Sequence, residues 1–420
     1  MQRKIKVVWV CHFSNNRIRK HIVFDRRYFK YVIKRLLGRR CETVSDFAVW
    51  VTNGIKEFES FKDVELTVIF PHRGVKGTLQ RFEDNGVTYF CFRSEDDHLT
   101  PFILEKVFKF RNKRYNKNKK IVQNIIKTVH PDIVHYIGAE NPYYSCTLLG
   151  LNEDLQTIVS LQTLMSDPSF RDNYPISLGE YNYRVEIEKK VILRSKYIAS
   201  KIQTFRDIIT KDIKPNAVFL PMSLAVGQQL YLEEVNKEYD FVYYAANVEK
   251  AADYAIEAFA IAQKLMPGLT LNISGYCSED YKAKLDYLIY KNNIVQSVFF
   301  TGRKDCHEDV LNQIKKSRFA VLPLKIDLIS GTIREAMACG LPVVTTITPA
   351  TPSLNEKRES VLLSPKGDYL SMAQNMIRLV GDDAFATNIR ENALLTIQES
   401  YDNKKEMRNW VNVYNSILDN

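Results

Sequence analysis

The chain has 420 residues, which is too long for one ordinary hydrophobic core and favours two domains of about 200 residues each. Hydrophobic residues make up 45% of the sequence and aromatic residues 11%, which excludes a disordered chain. The formal net charge is +10, and no run approaches the roughly 20 uncharged apolar residues of a membrane-spanning helix. We therefore expect a globular protein in the cytoplasm.

Short runs rich in β-branched residues alternate with longer helical patterns along the whole sequence, which predicts parallel sheets with crossover helices. The predicted strands of the first half cover 6–13, 64–71, 87–93, 131–138 and 156–162. Those of the second half cover 241–246, 269–275, 298–303, 319–324 and 342–346. Because the pattern resets over 216–240, we predict two doubly wound α/β domains, 1–222 and 223–400, that face each other across a cleft. Residues 401–418 form a separate amphipathic helix in this interpretation.

The cysteine and histidine patterns give no indication of a metal site. The seven cysteines are scattered and contain no Cys-x-x-Cys pair, which argues against both a disulfide framework and a zinc site. The histidines show no His-x-x-x-His spacing. We expect reduced thiols and no metal held by the protein.

The positive charge is concentrated in two stretches of the first half. Residues 26–40 carry seven basic groups and no acid, and residues 106–120 carry eight and no acid. One interpretation is that apolar side chains of 26–40 pack on the first domain while the charges stay in water. The other is that these stretches bind an anionic membrane surface, which would give a peripheral position at its inner face. Nucleic-acid binding is disfavoured because no RNA-binding signature accompanies the charge.

The segment 324–346, "LKIDLISGTIREAMACGLPVVTT", carries the most informative pattern. Asp327 follows a hydrophobic strand, a Ser-Gly-Thr turn comes next, and Glu335 stands eight residues after Asp327 on a small-residue helix. Ligands of open α/β sheets bind at the carboxyl ends of strands. A turn that leads into a helix also presents backbone N–H groups and the positive end of the helix dipole. The pattern predicts a phosphate site flanked by carboxylates that bind hydroxyl groups.

This segment resembles the E-x7-E motif of the retaining glycosyltransferases of family 4, which belong to glycosyltransferase group 1 and have the GT-B fold. Further blocks are similar to the family in the same order: "PDIVHYIG" (131–138), "EKAADYAIEAF" (249–259), "LTLNISGYC" (269–277) and "VFFTG" (298–302). The last helix, with Trp410 and Tyr414, is similar to the family's helix that crosses back onto the first domain. The resemblance thus implies that 401–420 belongs with 1–222.

The resemblance implies a set of contacts to the donor nucleotide sugar. Glu335 would accept hydrogen bonds from the ribose hydroxyls, and Asp327 would contact hydroxyls of the donor sugar. Backbone N–H groups around Ser330, Gly331 and Thr332 would bind the distal phosphate. Asp327 is one methylene shorter than the glutamate of the motif, so its sugar contact differs or its loop has moved.

The resemblance also implies roles outside this segment. Lys250 would neutralise the diphosphate as it leaves. Asn247 stands where the family has an arginine, and we place it in the same donor-contacting group. Gly302 and Arg303 would lie against the base. His135 would face the reacting sugar from the first domain.

The implied function is the transfer of a hexose-type sugar from a UDP- or GDP-linked donor to a glycan or lipid-linked acceptor, with the donor's anomeric configuration retained. The implied setting is the synthesis of a surface polysaccharide, and no cofactor beyond the donor is implied. The departures at Asp327, Asn247 and Ala251, and the absence of a Gly-Gly pair after the first strand, leave two alternatives open. These are a nucleotide-sugar epimerase of the same architecture and an inactive protein that binds nucleotide sugars.

Overall fold

A computed structural model of the chain describes residues 3–25, 46–95, 114–171, 176–226, 230–325, 330–348 and 350–419. The chain divides into two compact units. The first unit contains Met1–Ala225 and Asn403–Asn420, and the second contains Val226–Asp402. The basic stretch 26–40 and residues 106–113 of the second basic stretch lie outside the described residues.

The described part of the first unit contains one eight-stranded sheet. Its strands are β1 (Ile5–Val10), β2 (Val64–Pro71), β3 (Leu79–Asp84), β4 (Val87–Phe92), β5 (Ile133–Ile137), β6 (Gln156–Ser160), β7 (Tyr197–Ala199) and β8 (Val218–Leu220). Their order in the sheet is β3-β4-β2-β1-β5-β6-β7-β8, and all neighbours are parallel except β3 and β4. The central strands are buried along almost their whole length because helices cover both faces of a doubly wound sheet.

The helices of the first unit vary from single turns to long crossover helices. They are α1 (Asn16–Arg19), α2 (Val49–Phe58), α3 (Asn116–Val129), α4 (Pro142–Ser145), α5 (Pro168–Arg171), α6 (Leu178–Arg194) and α7 (Gln203–Asp212). Several of them begin with side-chain caps: Asn15 accepts a bond from the Ile18 N–H, and Ser177 accepts one from the Glu180 N–H.

The edge of this sheet is an antiparallel hairpin, of which the strand prediction included β4 but not β3. β3 and β4 are joined by Asn85 and Gly86, which both have positive φ values, 47° and 77°. A two-residue Asn-Gly turn of this kind matches the twist of two paired strands. β3 alternates exposed and half-buried residues, as expected for a strand with one face in solvent.

The described part of the second unit contains a six-stranded sheet whose strands all pair in parallel. Its strands are β9 (Tyr239–Asn247), β10 (Leu271–Tyr276), β11 (Val298–Gly302), β12 (Ser317–Leu322), β13 (Val343–Thr346) and β14 (Leu362–Ser364). Its helices are α8 (Ala252–Leu265), α9 (Glu279–Lys291), α10 (His307–Lys315), α11 (Gly331–Ala338), α12 (Tyr369–Gly381) and α13 (Asp383–Ser400). The sheet order is β11-β10-β9-β12-β13-β14, so the strand order reverses beside β9. The two parallel α/β sheets confirm the predicted fold class.

The last helix, α14 (Asn403–Leu418), packs into the first unit. Trp410 and Tyr414 are buried there, and the Trp9 indole N–H donates to the Tyr414 hydroxyl at 3.1 Å. Gly54 on α2 makes room for this packing, because a Cβ at that position would lie 3.1 Å from Trp9 and 3.2 Å from Met407. The predicted return of the last helix to the first domain is confirmed.

Across the described residues, every helix is too short or too polar to cross a lipid bilayer.

Candidate functional site

The carboxyl ends of the second unit's strands bring several of the predicted residues to one edge of the sheet. β9 ends at Asn247 and β11 ends at Gly302, and β10 lies between these two strands. Arg303 follows Gly302 and is exposed. Gly302 has a φ of +67°, and a Cβ there would meet no atom within 4 Å, so open space lies beside its backbone. This edge contains the point at which the strand order reverses, where ligands of open α/β sheets bind.

The start of α11 has the properties of an anion site. Ser330 precedes the helix with extended backbone angles, and its hydroxyl accepts a hydrogen bond from Thr332 Oγ1 at 2.8 Å. The Ser330 side chain thus does not cap the helix, and the first N–H groups of a helix have no partner inside the helix itself. A Cβ on Gly331 would meet no atom within 4 Å, so the backbone can be approached closely from that side. The helix dipole adds positive potential at the same point.

Glu335 lies one turn into α11 and is held by its neighbours. Glu335 is 8% exposed, and its Oε1 lies 3.0 Å from Nε2 of His307, the first residue of α10. The Tyr244 hydroxyl donates to the Thr332 carbonyl at 2.6 Å and so ties β9 to α11. Burial, and then the nearby Glu335 carboxylate, raise the pKa of Tyr244 well above its usual value. The Tyr244 hydroxyl therefore stays protonated, and its hydrogen bond to the Thr332 carbonyl holds the helix that carries Glu335 against β9.

Lysine side chains gather around the start of α8 on the same edge. Lys250 ends a 3₁₀ turn directly after β9 and is exposed. The Asp253 carboxylate, in the first turn of α8, contacts Lys284 at 2.9 Å and also Lys325. Burial opposes ionisation of Asp253, but Lys325 and Lys284 outweigh it and lower the pKa of that carboxyl. Cations from three different segments thus surround this part of the sheet edge.

His135 has a different environment from the one expected. It lies in β5 of the first unit with 0% exposure, and its ring nitrogens are 2.7 Å from the Tyr414 hydroxyl and 2.7 Å from Ser160 Oγ. Its ring also packs on Trp410 with a centroid separation of 4.6 Å. Burial lowers the pKa of His135 to about 3, so the imidazole is neutral. Both nitrogens are engaged inside the unit, so we correct the expectation that His135 faces a substrate. Its role in the structure is packing.

Asp327 lies within 326–329, outside the described residues. The structure therefore describes one carboxylate of the predicted pair, Glu335, together with the start of the helix that carries it.

Residues 232–395 match the family described as glycosyl transferases group 1. The second unit contains a glycosyl transferases group 1 domain. The resemblance to glycosyltransferase group 1 is thereby confirmed over these residues, and the site residues of the second unit described above all fall inside the group 1 domain.

One curated relative aligns with the chain over part of its length. N-acetyl-alpha-D-glucosaminyl L-malate synthase of Bacillus anthracis is 24% identical over 131 residues. The match covers 31% of this chain and 34% of that protein, so the chain spans about a third of the relative it matches.

Solved structures match the fold over nearly the whole chain. Sucrose-phosphate synthase of Thermosynechococcus elongatus superposes with a TM-score of 0.66 at 13% identity, covering 99% of both chains. HepE of Anabaena, in complex with UDP and glucose, superposes with a TM-score of 0.62 at 12% identity, covering 98% of this chain and 100% of that one. The GT-B fold is thereby confirmed.

Two residues at this edge of the group 1 domain were missed from the sequence. His307 contacts the Glu335 carboxylate from another helix, and Lys325 contacts Asp253 from the segment after β12. No sequence pattern pointed to His307, because a histidine at a helix start has no characteristic spacing to Glu335. Lys325 stands only two residues before Asp327, so its closeness to the motif was the available signal.

Proposed function

We propose that the protein is a glycosyltransferase that transfers a hexose-type sugar from a nucleotide-diphosphate donor to a glycan or lipid-linked acceptor, with retention of the donor's anomeric configuration. The observation that carries this proposal is the open start of α11 with the Glu335 carboxylate one turn along, at the sheet edge of a group 1 domain. An anion such as a diphosphate fits the helix start, and a carboxylate one turn away is placed to accept bonds from hydroxyl groups.

In this proposal each site residue contacts a different part of the donor. The N–H groups at Gly331 and Thr332 bind the distal phosphate, and Glu335 binds the ribose hydroxyls. Lys250 stabilises the negative charge that grows on the diphosphate as the sugar leaves. The donor site is completed by Asn247, Gly302 and Arg303. Lys325 supplies a second cation at this edge, where the family has an arginine at the position of Asn247. No cofactor beyond the donor enters this scheme.

The donor base is proposed from the structural relatives. HepE of Anabaena was solved with UDP and glucose, and the pneumococcal O-GlcNAc transferase GtfA was solved with UDP and GlcNAc. These two proteins share the fold of this chain at 12% and 14% identity. UDP is therefore the first nucleotide to test, and GDP is the second.

A thermal-shift panel of UDP, GDP, ADP, dTDP and CMP tests the donor site. A nucleotide that binds only the folded protein stabilises it by roughly 2.7 kcal/mol at a hundredfold excess over its Kd, which raises the melting temperature by on the order of 5 °C. We expect UDP or GDP to give this rise and CMP to give much less. Failure of all five nucleotides to stabilise the protein would overturn the proposed function. Binding of UDP without transfer of the sugar would identify the protein as an inactive nucleotide-sugar binder or an epimerase, and the sugar product distinguishes these two.

We further propose that the acceptor belongs to surface polysaccharide synthesis and reaches the enzyme at an anionic membrane, through the basic stretches 26–40 and 106–120. Each Lys or Arg near an anionic surface contributes about 1 kcal/mol. We expect the protein to sediment with anionic liposomes at low salt but not with zwitterionic ones, and to be released at about 0.5 M salt, where the Debye length is short. Equal recovery in the supernatant with both lipids would contradict the membrane part of the proposal and leave the donor site untouched.

A further inference from the structure

A small cavity lies at the carboxyl ends of the central strands of the first unit. Its volume is about 180 Å³, which is below the roughly 300–1,000 Å³ of pockets that hold whole drug-sized ligands. It therefore suits one compact end of a molecule. Its wall comes from segments that follow β1, β2, β4 and β5, and its lining side chains include His12, Phe47, His72, Arg73, Ser94 and Tyr143.

His72 builds a rigid wall of this cavity. It is 5% exposed, and its Nδ1 lies 2.9 Å from the Arg73 carbonyl oxygen. Because a carbonyl oxygen can only accept, Nδ1 carries the proton and donates it. Its Nε2 lies 3.3 Å from Ser14 Oγ, and Arg19 donates to the same Oγ at 3.0 Å. His72 is thus held at both nitrogens, and its contact with the Arg73 carbonyl fixes the backbone that carries the Arg73 side chain.

His12 has one ring nitrogen, Nε2, left for a ligand in the cavity. Burial, and then the charges of His72 and Arg73, lower the pKa of His12 to about 3, so its ring is neutral and carries one proton. Its Nδ1 lies 2.6 Å from the Tyr143 hydroxyl. When that hydroxyl donates to Nδ1, the ring proton lies on Nε2, which is the nitrogen left for a ligand. The ring is kept in place by Phe47 and Tyr143, with centroid separations of 4.6 and 5.0 Å.

The other polar groups of the lining are also donors. Ser94 is 4% exposed, and its Oγ accepts a bond from the buried Asn118 side chain at 2.9 Å, which leaves its O–H to donate. Arg73 is exposed at the cavity and adds a positive charge. Within the described residues, the lining contains no aspartate or glutamate. An N–H, an O–H and a guanidinium without an opposing carboxylate favour a ligand that is a charged acceptor of hydrogen bonds.

We propose that this cavity binds an anionic group, a carboxylate or a phosphate, that the sugar acceptor carries. The proposal rests on the transferase function proposed above and specifies its acceptor. His12 and Ser94 donate to the oxygens of the anionic group, Arg73 neutralises its charge, and Phe47 and Tyr143 pack against the carbon skeleton next to it.

A matched series of three ligands tests the proposal: glycerol, glycerate and glycerol 3-phosphate share a carbon skeleton and differ in the anionic group. Binding to the full-length protein is measured by calorimetry or ligand-observed NMR. We expect at least one of the two anions to bind and glycerol to bind much more weakly. A stronger signal for glycerate assigns the site to carboxylates, and one for glycerol 3-phosphate assigns it to phosphates. Equal binding of all three, or binding of none, would overturn the proposal.

Two arginine variants locate the binding. Arg73→Gln is expected to weaken binding of the anion about tenfold, since it removes a charge-assisted hydrogen bond. Arg81→Gln is the control, because Arg81 is an exposed arginine on β3 of the same unit, paired with Glu83. Equal affinities of the two variants would place the anion elsewhere and refute the cavity assignment. The nucleotide panel on the same samples separates the two proposals. If nucleotides bind and the anions do not, only the acceptor site is rejected. If the anions bind and no nucleotide does, the donor site is rejected.

Discussion

Replacing Lys250 with alanine is expected to lower the turnover rate about a hundredfold, while the affinity for the donor changes little. Negative charge builds up on the diphosphate only as the bond to the sugar breaks, so a cation at this position stabilises the transition state more than the bound donor. Lys250 lies directly after β9, at the edge to which the proposed phosphate site also belongs. Nucleotide release under single-turnover conditions measures the rate, and a binding titration with the nucleotide measures the affinity.

Lys264→Ala is the matched control for this experiment. Lys264 is an exposed lysine in the last turn of α8, whereas Lys250 comes just before the first turn of the same helix. Both variants remove one positive charge from an exposed position, but only one of them lies at the sheet edge. A Lys250→Ala rate within about threefold of the wild-type rate would show that another cation, such as Lys325, stabilises the leaving group.

Replacing Glu335 with glutamine is expected to weaken nucleotide binding at least about tenfold, because charge-assisted hydrogen bonds to the ribose, worth roughly 1.5–3 kcal/mol each, become neutral ones. Glutamine has the size of glutamate and keeps an oxygen that can accept from His307, so the fold should survive at this buried position. Glu335→Ala should weaken binding at least as much. A titration with the nucleotide identified by the thermal-shift panel measures the loss.

Glu308→Gln provides the comparison for Glu335→Gln. Glu308 is an exposed carboxylate in the first turn of α10, beside His307, so the variant makes the same chemical change close to the site. We expect its nucleotide affinity to match that of the wild type. If Glu335→Gln lowers the melting temperature and leaves the affinity unchanged, Glu335 serves only to hold α10 against α11.

The sheets were largely predictable because their central strands are apolar runs buried on both faces. The predicted runs 64–71 and 298–303 correspond to β2 (Val64–Pro71) and β11 (Val298–Gly302). Four strands were missed for two physical reasons. β7, β8 and β14 have only three residues each, too few to show a periodicity, and β3 is a half-exposed edge strand with the pattern LQRFED. The Asn85-Gly86 pair could have revealed β3, because Asn-Gly is typical of a two-residue hairpin turn.

The site was predictable where its residues are close in sequence and not where they meet through the fold. Ser330, Gly331, Thr332 and Glu335 share one turn and one helix, so their spacing alone places them together. His307 reaches Glu335 only because α10 and α11 are neighbours in the folded unit. The cavity of the first unit is a further example, since its lining residues come from five separate segments of the chain.

His135 is the opposite case, because it was predicted to contact the substrate and lies buried in the first unit. A polar residue in the middle of a strand can point to a ligand or into the core, and the strand pattern does not distinguish the two. Its partners Tyr414 and Trp410 come from a helix about 280 residues away in sequence, and those contacts decide its role. Because burial lowers the pKa of His135 to about 3, its ring is neutral near pH 7.

The position of α14 has a consequence for biosynthesis on the ribosome. The second unit, Val226–Asp402, is one continuous stretch, whereas the first unit needs Asn403–Leu418 to bury Trp9 and to supply the hydroxyl bonded to His135. Domains usually fold in the order of synthesis. Here the amino-terminal unit leaves the exit tunnel first but must wait, with part of its aromatic interior uncovered, until the entire second unit has been translated. During that interval the nascent chain exposes apolar surface of the kind that chaperones bind.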